Sequence, residues 1–284
     1  MFDHIITLSL NPAIDATLWV EHAKKGTDNA VRYEKYESAG KAMNVSRALG
    51  IYGVRTQALV LAGAHNRERY EEPLKKEGIS YTIIPVEGYT RENIAIVEED
   101  HTVTRFLREG FSVPYEAVTQ LIELLAQVVK ERTLVVISGT LPSGITDKLL
   151  MDICTTIKEH GGLVALDTSA RFSPEELGAI APWLIKPNLR ELEGLARREL
   201  PDTHAIVEFC RELKDHGVCH CLVSLGDSGI LYTGAEGIYQ VMVPNVSVVS
   251  AVGSGDYCLA GFVLGQATKK SLLQSLKTAA SFGT

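Results

Sequence analysis

The stretch Ser250-Ala251-Val252-Gly253-Ser254-Gly255-Asp256 runs straight into an apolar segment that continues to Leu264. Two glycines and a serine therefore lead into an aspartate at what reads as a helix start. Such a turn points several backbone N–H groups at one spot, where the helix dipole also favours negative charge. An acid placed inside that anion pocket makes little sense as packing. It makes sense beside a phosphoryl group, taking a proton from whatever attacks it.

Outward from this turn, short apolar strands alternate with longer amphipathic segments. Strands are expected at Ile5–Leu8, Gln57–Leu61, Leu134–Ser138, Leu163–Asp167, Leu184–Lys186, Leu222–Ser224 and Ile230–Thr233. Helices are expected at Lys41–Leu49, Arg67–Lys76, Tyr115–Lys130, Thr146–His160, His204–His216, Asp256–Ala267 and Leu272–Ala280. The pattern predicts an α/β fold with a mainly parallel central sheet covered by helices on both faces. Functional groups then gather at the carboxyl ends of the strands.

Segments 12–36 and 90–109 break this rhythm with alternating runs such as Ala16-Thr17-Leu18-Trp19-Val20 and Asn93-Ile94-Ala95-Ile96-Val97. They read as strands of a small β-sheet inserted in a single domain spanning 1–284. A sheet too small to bury itself needs a face to cover. A lid over the site and a homodimer contact are the expected uses.

Composition narrows the class. The 284 residues are 45% hydrophobic and 22% charged, as in an ordinary globular protein. A formal charge of −7 argues against a nucleic-acid surface or an anionic membrane partner, while leaving room for a local cationic pocket. The N-terminus lacks the pattern of a signal peptide, and no run approaches the ~18 apolar residues of a membrane span. The five cysteines, Cys154, Cys210, Cys219, Cys221 and Cys258, are odd in number and lie in apolar surroundings. A reducing cytoplasm is expected. Cys219-His220-Cys221 leads into an apolar strand and lacks a second pair of matching spacing, so it reads as buried strand rather than metal site. The sequons at Asn44 and Asn245 read as chance matches.

Other candidate groups fall at strand ends. Asn11-Pro12-Ala13-Ile14-Asp15 places Asp15 where it could bind sugar hydroxyls, although a solvated turn acid fits equally. Ser38-Ala39-Gly40-Lys41-Ala42-Met43-Asn44 offers close backbone approach and a phosphate-neutralising lysine, or an ordinary helix start with an exposed lysine. Arg91, near Asn93, has the guanidinium geometry for phosphate. Ser138-Gly139-Thr140-Leu141-Pro142-Ser143-Gly144 and Lys186-Pro187-Asn188-Leu189-Arg190-Glu191 close two further strands. Asn188 and Glu191, three apart on a helix, can face one hydrated Mg²⁺, or Glu191 can simply complement the helix dipole. Ser224-Leu225-Gly226-Asp227-Ser228-Gly229 is spaced for a hairpin.

In this order the motifs resemble the ribokinase-like PfkB carbohydrate kinases, nearest the 1-phosphofructokinase and tagatose-6-phosphate kinase branch, over essentially the whole chain. The resemblance implies a Rossmann-like ribokinase fold with a β lid, with ATP and Mg²⁺ as cofactors and a sugar phosphate as partner. It implies that Asp256 is the catalytic base and that Gly253, Ser254 and Gly255 form the anion hole. It places Lys186, Asn188, Ser224, Gly226 and Gly229 on the nucleotide side, with Asn188 and Glu191 reaching the metal through water. Asp15, Gly40, Lys41, Asn44, Arg91 and Ser138 fall to the sugar phosphate. Because Asp256 must be ionised to act as a base, no strongly raised pKa is required of it.

The expected activity is phosphorylation of fructose 1-phosphate to fructose 1,6-bisphosphate. Tagatose-6-phosphate kinase, and a catalytically weak sugar-phosphate sensor on the same fold, are the alternatives. Ala39 and Ala42 stand where this branch usually has glycine, adding methyl groups near the expected sugar. Tyr257 replaces a small residue, which is expected to affect packing. Relatives usually continue beyond the position of Thr284 with about a helix and a strand that help form the adenine pocket.

Overall fold

The structure is a computed structural model describing residues 2–170, 172–243 and 253–283. Ser250, Ala251 and Val252 of the opening stretch and the Asn245 sequon lie outside the described residues. Strands are numbered in chain order. Across the large sheet they run β13 (Gly237–Val241), β12 (Ile230–Gly234), β11 (His220–Ser224), β10 (Leu184–Ile185), β9 (Leu163–Thr168), β8 (Thr133–Gly139), β1 (His4–Ser9), β4 (Gln57–Gly63) and β5 (Ser80–Val86). All neighbours from β5 to β11 are parallel, while β12 and β13 add antiparallel hairpins at one edge.

The central strands are apolar on both faces because both are covered. Ile6, Val135, Ile137, Val164 and Leu166 point into one core, with helices α3 (Tyr115–Val128), α4 (Asp147–Glu159), α5 (Pro174–Ile180), α6 (Leu189–Ala196) and α7 (Thr203–Asp215). Their neighbours Ile5, Leu134, Val136 and Ala165 point into the other, against α1 (Lys41–Ile51), α8 (Ser254–Ala267) and α9 (Leu272–Phe282). The period of two is what a pleated strand buried on both sides requires.

A separate four-stranded sheet runs β3 (Val31–Ala39), β2 (Ala13–Val20), β6 (Arg91–Val97) and β7 (Val103–Phe106). These strands come from the two segments that broke the strand–helix rhythm. The sheet is tied to the core through Ile14, which packs with Met43 and with Tyr70 of α2 (Arg67–Glu77).

Strand order reverses at β1: the chain adds β4 and β5 on one side, then β8 to β11 on the other. Such a switch point opens a crevice at the carboxyl ends of the strands. No helix among the described residues is long and apolar enough to cross a membrane.

Cys221 lies buried in β11, with its sulfur 3.4 Å from that of Cys210 on α7. The adjoining His220 Nδ1 is 2.7 Å from the Tyr232 hydroxyl, and its ring packs against Trp183 and Phe262. Burial pushes the His220 pKa down to about 4. Above about pH 6.5 the ring is neutral in both folded and unfolded chains. Below it the unfolded chain gains a proton that the folded one refuses, so stability falls as pH drops towards 4. Urea unfolding across this window should lose up to about 3 kcal/mol from this group, and His220→Gln should flatten the slope. An unchanged slope would remove His220 as its source.

Candidate active site

The crevice at the switch point holds a cavity of about 900 Å³. On one side lie Asp15, Gly40, Lys41, Asn44 and Arg91; on the other lie Lys186, Asn188, Glu191, Ser224, Gly226 and Gly229. The Gly253–Asp256 turn stands between them, with Asn44 close to Gly253 and the Lys186 ammonium close to Gly255. Of the residues picked from the sequence, Ser138 is set back: it is buried behind the cavity wall.

Helix α8 starts at this turn because Gly253 takes a left-handed conformation (φ 86°) that a residue with a β-carbon rarely adopts. The next two N–H groups, of Ser254 and Gly255, have no acceptor within the helix and remain for an anion. The Asp256 N–H is already bonded to the Gly253 carbonyl at 2.9 Å. The Asp256 side chain is buried, and Asn44 Nδ2 donates to its Oδ2 at 2.8 Å. Burial raises its pKa above the ordinary aspartate value; the Asn44 hydrogen bond opposes this, Asp167 adds to it, and Lys41 and Lys186 oppose it. The sequence alone required no such rise. A raised pKa makes the carboxylate a better proton acceptor while leaving it in reach of ionisation.

Behind the turn lies a group that the sequence marked only as the end of a strand. Asp167, at the end of β9, is 2% exposed. Its Oδ1 is 3.4 Å from Lys186 Nζ and 3.6 Å from Lys41 Nζ, and Ser138 donates to its Oδ2 at 3.1 Å. Burial works against the Lys186 ammonium, but Asp167, with Cys258 and Glu191, outweighs it and holds the pKa above the usual lysine value.

The small sheet supplies the floor of the other end. Asn93 donates to Asp15 Oδ1 at 2.8 Å, across the β2–β6 pairing. The Asn93 Oδ1 is buried with no hydrogen-bond partner among the described residues. Buried carbonyl oxygens are rarely left so, and a ligand hydroxyl would satisfy it. Arg91 donates through Nε to the Pro12 carbonyl and through Nη2 to that of Asn11, leaving Nη1 for an anion. Ala39 lines the cavity, whereas Ala42 is fully buried in α1 and adds no methyl group there.

At the opposite end Asn188 and Glu191 form a reciprocal capping box on α6: each side chain accepts from the other's backbone N–H, at 2.8 and 2.9 Å. The helix-end role weighed for Glu191 is thus present. It leaves Oε1 of the glutamate for a second partner. Hard oxygen donors, few in number, suit a Mg²⁺ ion that keeps most of its waters. The hairpin between β11 and β12 brings Gly226 and Gly229 to the wall. Asp227, Val243, Cys258, Ala280 and Gly283 also line it. The last four are small or apolar and carry no chemical signature in a sequence, whereas Asp227 was read there only as part of a hairpin turn.

The chain matches the model of the pfkB family carbohydrate kinases over residues 7–284. It is 32% identical over 283 residues to a 1-phosphofructokinase of Escherichia coli strain K12, covering 98% of this chain and 89% of that protein. It is 31% identical to a tagatose-6-phosphate kinase of Staphylococcus epidermidis, covering 98% of this chain and 90% of the relative. Among solved structures it resembles phosphofructokinase-2 from Escherichia coli in complex with fructose-6-phosphate, with a TM-score of 0.88 at 26% identity, covering 99% and 92% of the two chains. With a nucleotide-sized crevice, a buried carboxylate at a helix N-terminus and these relatives, the chain belongs to the pfkB family of carbohydrate kinases and is a sugar-kinase phosphotransferase.

Proposed function

We propose that this chain transfers the γ-phosphoryl group of ATP to the free primary hydroxyl of fructose 1-phosphate, giving fructose 1,6-bisphosphate and ADP. The observation that carries this reading is the cavity itself, with cationic groups on both sides of a buried aspartate. One cationic end suits the nucleotide and the other an acceptor already phosphorylated. The similarity to 1-phosphofructokinases supports the choice of sugar.

In this reading Asp256 takes the proton of the attacking hydroxyl as the O–P bond forms. The N–H groups of Ser254 and Gly255 receive the charge on the transferring oxygens. Lys186, Ser224, Gly226 and Gly229 hold the nucleotide phosphates. Asp15, Gly40, Asn44 and Asn93 orient the sugar hydroxyls, and Lys41 with Arg91 holds the phosphate already present. Ser138 acts from behind the wall through Asp167. Mg²⁺, when bound, supplies charge neutralisation on the nucleotide phosphates, with Asn188 and Glu191 holding it through water. The small sheet acts as a lid that excludes water, which otherwise competes as acceptor.

The lid also serves as the contact of a homodimer. Tyr33 (59% exposed), Val103 and Phe106 leave aromatic and aliphatic surface open on it. A small sheet with such a face is stabilised by a second copy. The five free cysteines fit a cytoplasmic setting.

A coupled ADP-release assay across fructose 1-phosphate, tagatose 6-phosphate, fructose 6-phosphate and unphosphorylated sugars should give the highest kcat/KM with fructose 1-phosphate. Preference for an unphosphorylated sugar would overturn the Lys41 and Arg91 assignments, and sugar-phosphate binding without turnover would indicate a sensor. Asp256→Asn should lower kcat by about 10²- to 10⁴-fold while sparing sugar binding; near-normal turnover would refute the assigned base. Sedimentation analysis should show a dimer that Tyr33→Lys converts to monomer, and a monomeric wild type would exclude the lid contact.

A further inference from the structure

The structure points to a residue that acts through both lysines. We propose that Asp167 is a positioning residue for phosphoryl transfer, one buried carboxylate oxygen tying Lys41 on the acceptor side to Lys186 on the nucleotide side. The inference rests on the kinase reading above, since it takes the two lysines to face the two phosphate-bearing substrates.

Three separate elements converge on this carboxylate. Lys41 opens α1, Lys186 follows β10, and Ser138 stands opposite Asp167 in the β8–β9 register. Ser138 holds Oδ2, which turns Oδ1 towards both ammonium groups. A lysine is a point charge on a flexible four-carbon stem and does not fix its own position. The Lys41 side chain is 42% exposed and needs an anchor to stay over the cavity. Lys186 is buried, and an ammonium there is costly without a paired carboxylate.

The same carboxylate is a poor feature for binding alone. Its charge offsets the lysines that must attract phosphate, and it stands near Asp256. An arrangement that weakens anion binding yet fixes two cations across a gap contributes through geometry. A displacement of about 1 Å in such groups can cost about 100-fold in rate. Losing Asp167 should therefore appear in kcat and not in KM.

The test compares Asp167→Asn with wild type in steady-state kinetics with MgATP and the preferred acceptor of the sugar panel. The wild-type rate tests the kinase reading, and the ratio of variant to wild type tests this inference. The variant should lose about 100-fold in kcat with neither KM raised. The groups facing Asp256 are Asn44, Asp167, Lys41 and Lys186. Removing the Asp167 charge should also move the acid limb of kcat/KM to lower pH, since that charge helps hold the Asp256 pKa up; the split between kcat and KM is the readout a merely structural role would not give. A kcat within about threefold of wild type, or a raised KM at unchanged kcat, would overturn the proposal. Circular dichroism and thermal unfolding establish that the variant is folded. If it is not, Ser138→Ala keeps the charge and removes only the hydrogen bond that aims it. That variant should lose about fivefold in kcat, the equivalent of one hydrogen bond, and an unchanged kcat would refute the inference.

Discussion

A helix that is apolar on every side can exist in a folded protein only by complete burial, and α8 is such a helix. Asp256 and the residues from Cys258 to Gln266 are all buried. On one side α8 meets α1, and on the other it meets α9 so closely that glycine is needed twice. A β-carbon on Gly261 would lie 2.7 Å from the Thr278 carbonyl oxygen, and one on Gly265 would lie 2.6 Å from the Ser275 Cα. The backbone contact fixes the axis of α8, and its axis fixes where the N-terminal dipole points. The turn is thus held by packing some turns away from it, and Asp256 inherits the rigidity of the core.

Electrostatics then sets the character of the site. Two aspartates, Asp167 and Asp256, and two lysines, Lys41 and Lys186, lie within mutual influence beside the cavity. The two negative and two positive groups balance one another. This local balance explains how a chain of net charge −7 presents cationic groups to phosphates without burying unpaired charge. Each aspartate is held differently. Asp167 is locked by a hydroxyl and two ammonium groups, while among the described residues Asp256 has only the Asn44 amide at hydrogen-bond distance. The less tightly held carboxylate is the one proposed as the base.

Much of this was legible in the sequence because the signals were strong. Buried parallel strands must be apolar, and helices that cover them must carry an apolar face, so the seven strands and seven helices expected all formed. The elements missed were those whose position relaxes these demands. Strand β5 contains Pro85, which an edge strand tolerates. Strand β13, at the other edge, is mostly exposed and carries no buried run. Helix α5 is short, marked only by the Ser173–Glu176 capping box ahead of it. Most of the strand-end motifs supply residues to one cavity, but sequence could not separate a residue on the wall from one behind it. Ser138 and Ala42 needed three-dimensional burial to be sorted, and Asp167 gained its role only when two distant lysines were found on one oxygen.

The two sheets contribute unequally to the cavity. Every group on the nucleotide side, from Lys186 to Gly229, belongs to the large sheet or its helices. The acceptor side is divided: Asp15, Arg91 and Asn93 stand on the small sheet, whereas Lys41 and Asn44 open α1 of the core. The chain passes from one to the other through Gly40, between the end of β3 and the start of α1. On the proposed assignment of the two ends, a nucleotide is held by the core alone. Only a ligand in the acceptor position touches both sheets at once, so only its binding energy can be used to draw them together. Under the proposed function, closure coupled to the acceptor would protect the phosphoryl group when its proper recipient is present and exclude water at the step where it would otherwise react.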